Sequence, residues 1–333
     1  MFRFLKDTLR RRIPCITALV LLSVLTVTSG VNAARNPDRP TVMVILSDET
    51  LIYQDFVTTI KRTLVNNKLD ALLEVLNAKT YENRKPLISK QTRLIISVGV
   101  KATSLAADLP VQVPIYATLI PKDTFEIIRK RHNKKISQFS AVFLDQPLSR
   151  QFNLIRHALP HVRRIGVLIS NTENREDDLD ENLIIKTGNN ANYSVILENI
   201  TQKDRLLAAL DKLYTRSDVL LVMPEAGTVN RDLASNILLS SYRYQKPVVG
   251  YSHAYVKAGA LLAVYSTPEQ MGQYTARTVI GMEKNNWRLP EPSYSDLFTV
   301  SVNRWLTRSL GLNIKPESVL TKAIADNERA IAE

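Results

Sequence analysis

The chain has 333 residues, 23% of them charged, with a formal net charge of +12 and a single cysteine. One cysteine excludes a disulfide framework and a thiolate metal site, and a chain of this length buries a large core without such staples, usually as two lobes. The basic balance does not point to nucleic acid: the densest run beyond the N-terminus, IRKRHNKK at residues 128–135, ends a single predicted helix. It lacks the spread of charge and the interleaved aromatics that such binding needs.

From the N-terminus, Arg3, Lys6, Arg10, Arg11 and Arg12 precede an apolar run at 13–27, and Val31-Asn32-Ala33 follows with small residues. The run is shorter than the roughly 20 residues of a bilayer span. It predicts a cleaved secretory signal over 1–33 and a periplasmic location in a Gram-negative cell. Loss of those residues would lower the net charge to +8, since they hold five basic side chains and Asp7. Cys15 stands at the start of the apolar run, whereas a lipid-anchoring cysteine stands at its far end.

Beyond residue 33, strand-like and helix-like stretches alternate. TVMVIL at 41–46 reads as a buried strand, and the next stretch spaces Ile52, Phe56, Ile60 and Leu64 four apart on one helical face. RLIISVG, VPIYATL and FSAVFL carry strands to Leu144. PLSRQFNLIRHALP is a helix opened by Pro147 and closed before Pro160. RRIGVLIS, YSVILEN, DVLLVMP, KPVVGY and GALLAVYS continue the pattern, with helices at 201–214 and 228–244 between them. Apolar strands separated by helices predict parallel sheets covered on both faces, and two sets of about five strands suit two doubly wound α/β lobes. The expected division is a first lobe at 34–144 completed by part of 262–333, a second lobe at 145–261, and a return segment with C-terminal helices at 262–333.

Gly250-Tyr251-Ser252-His253-Ala254 comes close to a serine-hydrolase nucleophile elbow. That architecture needs a histidine later in the chain than the serine and across the site from it. His132, His157 and His161 all precede Ser252, and His253 adjoins it, so no base stands in the required order. His157 and His161 are interrupted by Pro160 and have no acidic partner nearby, which excludes a helical zinc motif. No phosphate-cradling glycine loop follows a strand, and the acidic run at 173–181 lacks the glycine of a calcium loop. The chain is therefore expected not to be an enzyme and to use neither metal nor cofactor. Two lobes with polar strand ends suit the clamping of a small solute.

QFSAVFLDQPLSRQFNLIRHALPHVRRIGVLIS, KPVVGYSHAYVKAGALLAVYSTPEQMGQYTARTVIGM and FTVSVNRWLTRSLGLNIKPESVLTKA are similar to stretches of an ABC-transporter substrate-binding family. That family includes binding lipoproteins for tryptophan and other aromatic amino acids. The resemblance spans roughly residues 90–325, most closely in the second lobe and tail. It implies a type I periplasmic-binding-protein fold and a solute-binding protein that clamps a ligand between its lobes and delivers it to an ABC permease. The alternative is a sensor or accessory protein of the same fold acting on a membrane receptor or signalling kinase. The chain departs from the family motifs at Gly99-Val100, Leu119-Ile120-Pro121, Ile169-Ser170-Asn171 and Ala226-Gly227-Thr228, losing a hydroxyl and two carboxylates suited to a ligand ammonium.

By position at strand ends, the ligand contacts expected are Ser47, Thr103, Tyr116 and Thr118 in the first lobe. Asn171, Glu173, Glu225, Thr228, Tyr251 and His253 are expected in the second. Tyr116 and Tyr251 either pack in the core or stack on a flat or apolar ligand. The ligand class, amino-acid-like, aromatic or other, is left open.

Overall fold

The stretch TVMVIL forms strand β1 (Thr41–Leu46), buried along its whole length, as expected of a parallel strand covered on both faces. The structure, a computed structural model, describes residues 39–332 except 70, 85–87, 111, 171–180, 201–205 and 225–230. The expected signal segment lies outside the described residues.

The first lobe continues through helix α1 (Leu51–Asn66), β2 (Leu72–Asn77), α2 (Ala78–Arg84), β3 (Thr92–Val98), α3 (Val100–Ala107), β4 (Ile115–Ile120), α4 (Lys122–Arg131) and β5 (Phe139–Phe143). The second contains α5 (Leu148–Ala158), β6 (Arg164–Ser170), α6 (Glu181–Asn190), β7 (Ser194–Ile200), α7 (Leu206–Arg216), β8 (Val219–Leu221), α8 (Arg231–Tyr244), β9 (Val248–Gly250), α9 (His253–Ala258) and β10 (Leu262–Tyr265). The chain then returns to the first lobe for α10 (Pro268–Lys284) and β11 (Ser293–Tyr294). It ends in the second with β12 (Thr299–Val302), α11 (Arg304–Ser309) and α12 (Glu317–Ala332). Residue 261 thus falls inside the second lobe, because Leu262–Tyr265 is the next strand of its sheet.

Strand order is β11-β5-β4-β3-β1-β2 in one sheet and β12-β10-β9-β8-β6-β7 in the other. Every described pairing is parallel except β10 with β12. Each lobe is wound in both directions from its first strand, so the two share a topology that no sequence repeat announces.

Strand alternation splits each lobe's core in two. In the first, Val42, Val44, Leu94 and Ile96 meet Phe56 and Ile60 of α1 and Met271 and Val279 of α10. Met43, Ile45 and Ile95 meet Ala102, Phe125 and Ile128 on the other side. Phe56 is fully buried, a burial that contributes about 1.5–3 kcal/mol for a side chain of this kind. Gly272 lets α10 approach α1 closely: a Cβ there would lie 3.0 Å from the Phe56 carbonyl oxygen. In the second lobe, Phe152 and Ile155 of α5 and Leu320 and Ile324 of α12 cover one face of the sheet. Leu210, Leu213 and Ile237 of α7 and α8 cover the other.

Candidate functional site

Ligands of doubly wound sheets sit beyond the carboxyl ends of the strands, where the winding direction reverses. In the first lobe that point lies between β1 and β3, at Ser47 and Gly99. The Ser47 hydroxyl donates to the Val98 carbonyl (2.8 Å) and accepts from the Ala102 amide (3.0 Å), tying β3 to the start of α3. Gly99 turns with φ +84°, and a Cβ there would lie 2.4 Å from the Tyr53 hydroxyl oxygen and 2.7 Å from Ser47 Oγ. Burial, then the Asp48 charge, raises the Tyr53 phenol pKa, while its bond to Ser47 lowers it. Ser47 is therefore a half-buried strut beneath Tyr53, a residue the sequence reading passed over.

The other first-lobe positions expected at the site are buried. Thr103 is fully buried and donates to the Gly99 carbonyl at 2.8 Å. Tyr116 is fully buried in the core that α10 covers, where desolvation drives its phenol pKa far up. Thr118, two residues on and on the same strand face, accepts from Thr275 of α10 at 3.3 Å. Ile120, where the family motif has a carboxylate, packs against Phe125 and Phe143. A bulge in β4, with Leu119 at φ 53°, interrupts the register there. At this pole the first lobe exposes Leu51 and Ile52 at the start of α1 and Val100 at the start of α3, with Asp48, Glu49 and Thr50 exposed beside them. Lys101 is paired to Glu82 at 3.3 Å, Glu49 is bonded to Asn77, and Asp48 Oδ1 accepts from the Thr50 amide at 2.8 Å.

Asn171, Glu173, Glu225 and Thr228 lie outside the described residues, in the stretches of sequence after β6 and β8. The edge formed by β9 and β10 is described. Ser252 caps α9, its hydroxyl accepting from the Tyr255 amide at 3.2 Å, a structural role that fits the exclusion of a nucleophile. Tyr251 is half-buried with its ring 5.2 Å from Tyr255, and desolvation raises its phenol pKa. His253 is exposed, with Nδ1 3.1 Å from the Ser301 hydroxyl, which is also 2.9 Å from the Tyr265 hydroxyl. The rings of His253 and Tyr265 stand 6.0 Å apart. The trio lies on one face of the β10–β12 pair, with Tyr265 at the carboxyl end of β10. Among the described residues no cluster of histidine, cysteine or carboxylate side chains could hold a metal.

Three crossovers join the lobes: β5 to α5, β10 to α10, and β11 to β12. Gln146 on the first donates to Ser266 on the second at 3.1 Å, and Ser266 donates to the Leu297 carbonyl on the third at 2.7 Å. Arg150, 4% exposed, donates to Gln146 Oε1 (2.6 Å) and the Ser295 carbonyl (2.9 Å). Its remaining edge meets Glu328 of α12 in two 2.7 Å bonds, and its guanidinium lies 4.1 Å from the Phe298 ring centre. One buried cation thus laces two crossovers to the second lobe's last helix. Asp145 on the first crossover accepts from the Lys122 amide at 2.8 Å, and burial pushes its carboxyl pKa up to about 6. The second crossover opens α10 with a capping box, Thr267 accepting from the Gln270 amide and Gln270 returning the bond.

A family model described as ABC transporter substrate binding protein matches residues 57–325. A search of curated protein sequences gives no match. Solved structures agree in fold. An ABC domain in complex with L-Trp from Streptococcus pneumonia is 17% identical, with a TM-score of 0.56, over 85% of this chain and 97% of that one. A substrate binding protein with adhesive properties from Clostridium difficile, in its ligand-free, open structure, is 15% identical. Its TM-score is 0.63 over 83% and 96%. A periplasmic ribose ABC transporter protein from Conexibacter woesei is 12% identical, with a TM-score of 0.52 over 83% and 95%.

Proposed function

The chain belongs to the ABC transporter substrate binding protein family, and from that premise we propose that it binds one small molecule with an apolar or aromatic body between its lobes and delivers it to a membrane permease. The observation that carries the reading is the triple crossover: two lobes of like topology meet through three short segments laced by Gln146, Ser266 and Arg150. Such a joint permits closure as a hinge while the cores stay intact.

The ligand class follows from the two edges. Leu51, Ile52, Val100 and Tyr53 give the first edge apolar surface, with the exposed carboxylate of Asp48 beside them. On the second, Tyr251 and Tyr265 supply aromatic surface, and His253 with Ser301 supplies hydrogen-bonding atoms. The positions Asn171, Glu173, Glu225 and Thr228 are proposed to complete that edge. We place the protein in the periplasm, exported by the segment at 1–33. Among the described residues no helix is long and apolar enough to cross a membrane.

Thermal-shift and calorimetric screening against aromatic amino acids, purines, short peptides and sugars tests the reading. A true ligand at 100 times its Kd stabilises the folded chain by about 2.7 kcal/mol. X-ray scattering of the same mixture should report a smaller radius of gyration as the lobes close. A screen in which only sugars bind, or in which binding leaves the scattering profile unchanged, overturns the ligand class or the clamp respectively.

A further inference from the structure

The second lobe has a groove at the pole opposite the cleft. It is bounded by the carboxyl-terminal halves of α8 and α9 and by α11, below the amino ends of β9 and β10. Its volume is about 680 Å³, within the roughly 300–1,000 Å³ of small-molecule sites. Leu239, Tyr242 and Trp305 line it with 69%, 69% and 66% of their surface exposed, an unusual grouping of large apolar side chains in water. Lys246 and Lys257 line it as well, and none of the described lining residues is an aspartate or glutamate.

We propose that this groove is a second binding site, independent of the cleft, for an amphiphilic organic anion: a carboxylate or sulfonate on an alkyl or aryl body. The apolar side chains take the body, with Trp305 and Tyr242 offering ring faces, and the two ammonium groups meet the acid. The solute's charge is set by the lining, since two cations with no opposing carboxylate repel a cationic ligand and leave a neutral one without compensation for the lysines. Its size is set by the concavity. A stable protein interface buries about 800 Å² on each partner, whereas three helix ends here enclose a volume suited to a single small molecule. Asn303 closes the floor, its amide oxygen accepting from the Leu306 amide, so the groove is braced before anything enters.

The test uses the full chain and two probes, anilinonaphthalene sulfonate followed by its fluorescence and laurate below its micelle concentration as competitor. The expected result is saturable binding of one probe per chain, displaced by laurate and much less by lauryl alcohol. Lys246→Gln combined with Lys257→Gln should weaken laurate about fivefold, the scale of two partly exposed ion pairs. Trp305→Ala should weaken both probes about tenfold, near the loss of one buried aromatic contact. Lys257 and Trp305 are exposed, and the bonds between the half-buried Lys246 and Ser241 use Lys246 backbone atoms, so the variants keep the fold, and His253→Ala at the cleft should leave both affinities unchanged. Displacement insensitive to the groove variants, or abolished by His253→Ala, overturns the proposal. So does binding to phosphatidylglycerol vesicles with none to free laurate, which would assign the patch to a membrane surface.

Discussion

The two edges facing the cleft are built on one topology and finished differently. In the first lobe three hydroxyls at the strand ends are bonded internally: Ser47 braces β3 against α3, Thr103 bonds to Gly99, and Thr118 meets Thr275 under α10. In the second, the exposed His253 reaches the half-buried Ser301 and Tyr265. A fold therefore specifies where a site lies, and the destination of each hydroxyl decides which wall recognises the guest. Damage to the first wall should register as lost stability, and damage to the second as lost affinity.

The joint between the walls should show the largest effect. Arg150→Ala removes a buried cation from Glu328, Gln146 and the Ser295 carbonyl together, and breaking a buried pair costs about 3–5 kcal/mol. Chemical denaturation measures the loss, and Arg150→Met, which keeps volume without charge, should recover part of it. Equal stability of Arg150→Ala and the parent would break the claim that the crossovers are held by this side chain. Next comes Gly99→Ala, which forces a Cβ into the Tyr53 hydroxyl and Ser47 at φ +84°. Strain of this kind costs about 1–3 kcal/mol. Combining it with Tyr53→Phe, which removes the atom met first, should restore part of the loss.

Much of this architecture is legible in sequence and some is hidden for identifiable reasons. Strand β1 and the Phe56, Ile60, Leu64 face of α1 follow from period alone. Ile52 has the same spacing yet is 55% exposed, because the first turn of α1 stands beyond the end of the sheet. LLEVLN reads poorly as a strand: it is half-buried at the sheet edge and rich in residues that also suit helices. The capping box at Thr267 is local chemistry and was visible. The burial of Tyr116 and Thr118 has no local mark, because α10, which covers them, returns from about 150 residues later in the chain. Tyr265 sits at a strand's carboxyl end, as Tyr251 does, and that position could have drawn notice. Its partner Ser301 comes from an antiparallel strand 36 residues on, with no local mark.

Asp145 sharpens the comparison through pH. Burial raises its folded-state carboxyl from 3.8 to about 6, so between those values the folded chain holds a proton that the unfolded chain has released. Stability contributed by the neutral carboxyl is complete below about pH 4 and is lost as pH rises through 6, by about 3 kcal/mol. Asp145→Asn should flatten that step in the melting temperature while leaving the acid side nearly unchanged. Asp218, at the far pole of the second lobe, has the opposite sign. Burial opposes its ionisation, but Arg164 and two backbone amides outweigh it and hold the carboxyl at about 2. Its contribution is present above pH 4 and is lost as pH falls towards 2.

The smallest stability effect belongs to the residue on which recognition most depends. His253 is exposed at the first turn of α9, and its bond to Ser301 is one that water can replace, so His253→Ala should change unfolding free energy by less than about 0.5 kcal/mol. Against whichever ligand the screen identifies, the same variant should lose about tenfold in affinity, equivalent to about 1.4 kcal/mol. Calorimetry on the variant and on Ser47→Ala separates the walls. Ser47→Ala should lower the melting temperature because the buried Ala102 amide loses its acceptor, while retaining most of the affinity once folded. If His253→Ala melts early and binds normally, the assignments of the two walls are reversed, and the second lobe would owe this trio to packing at the β10–β12 edge.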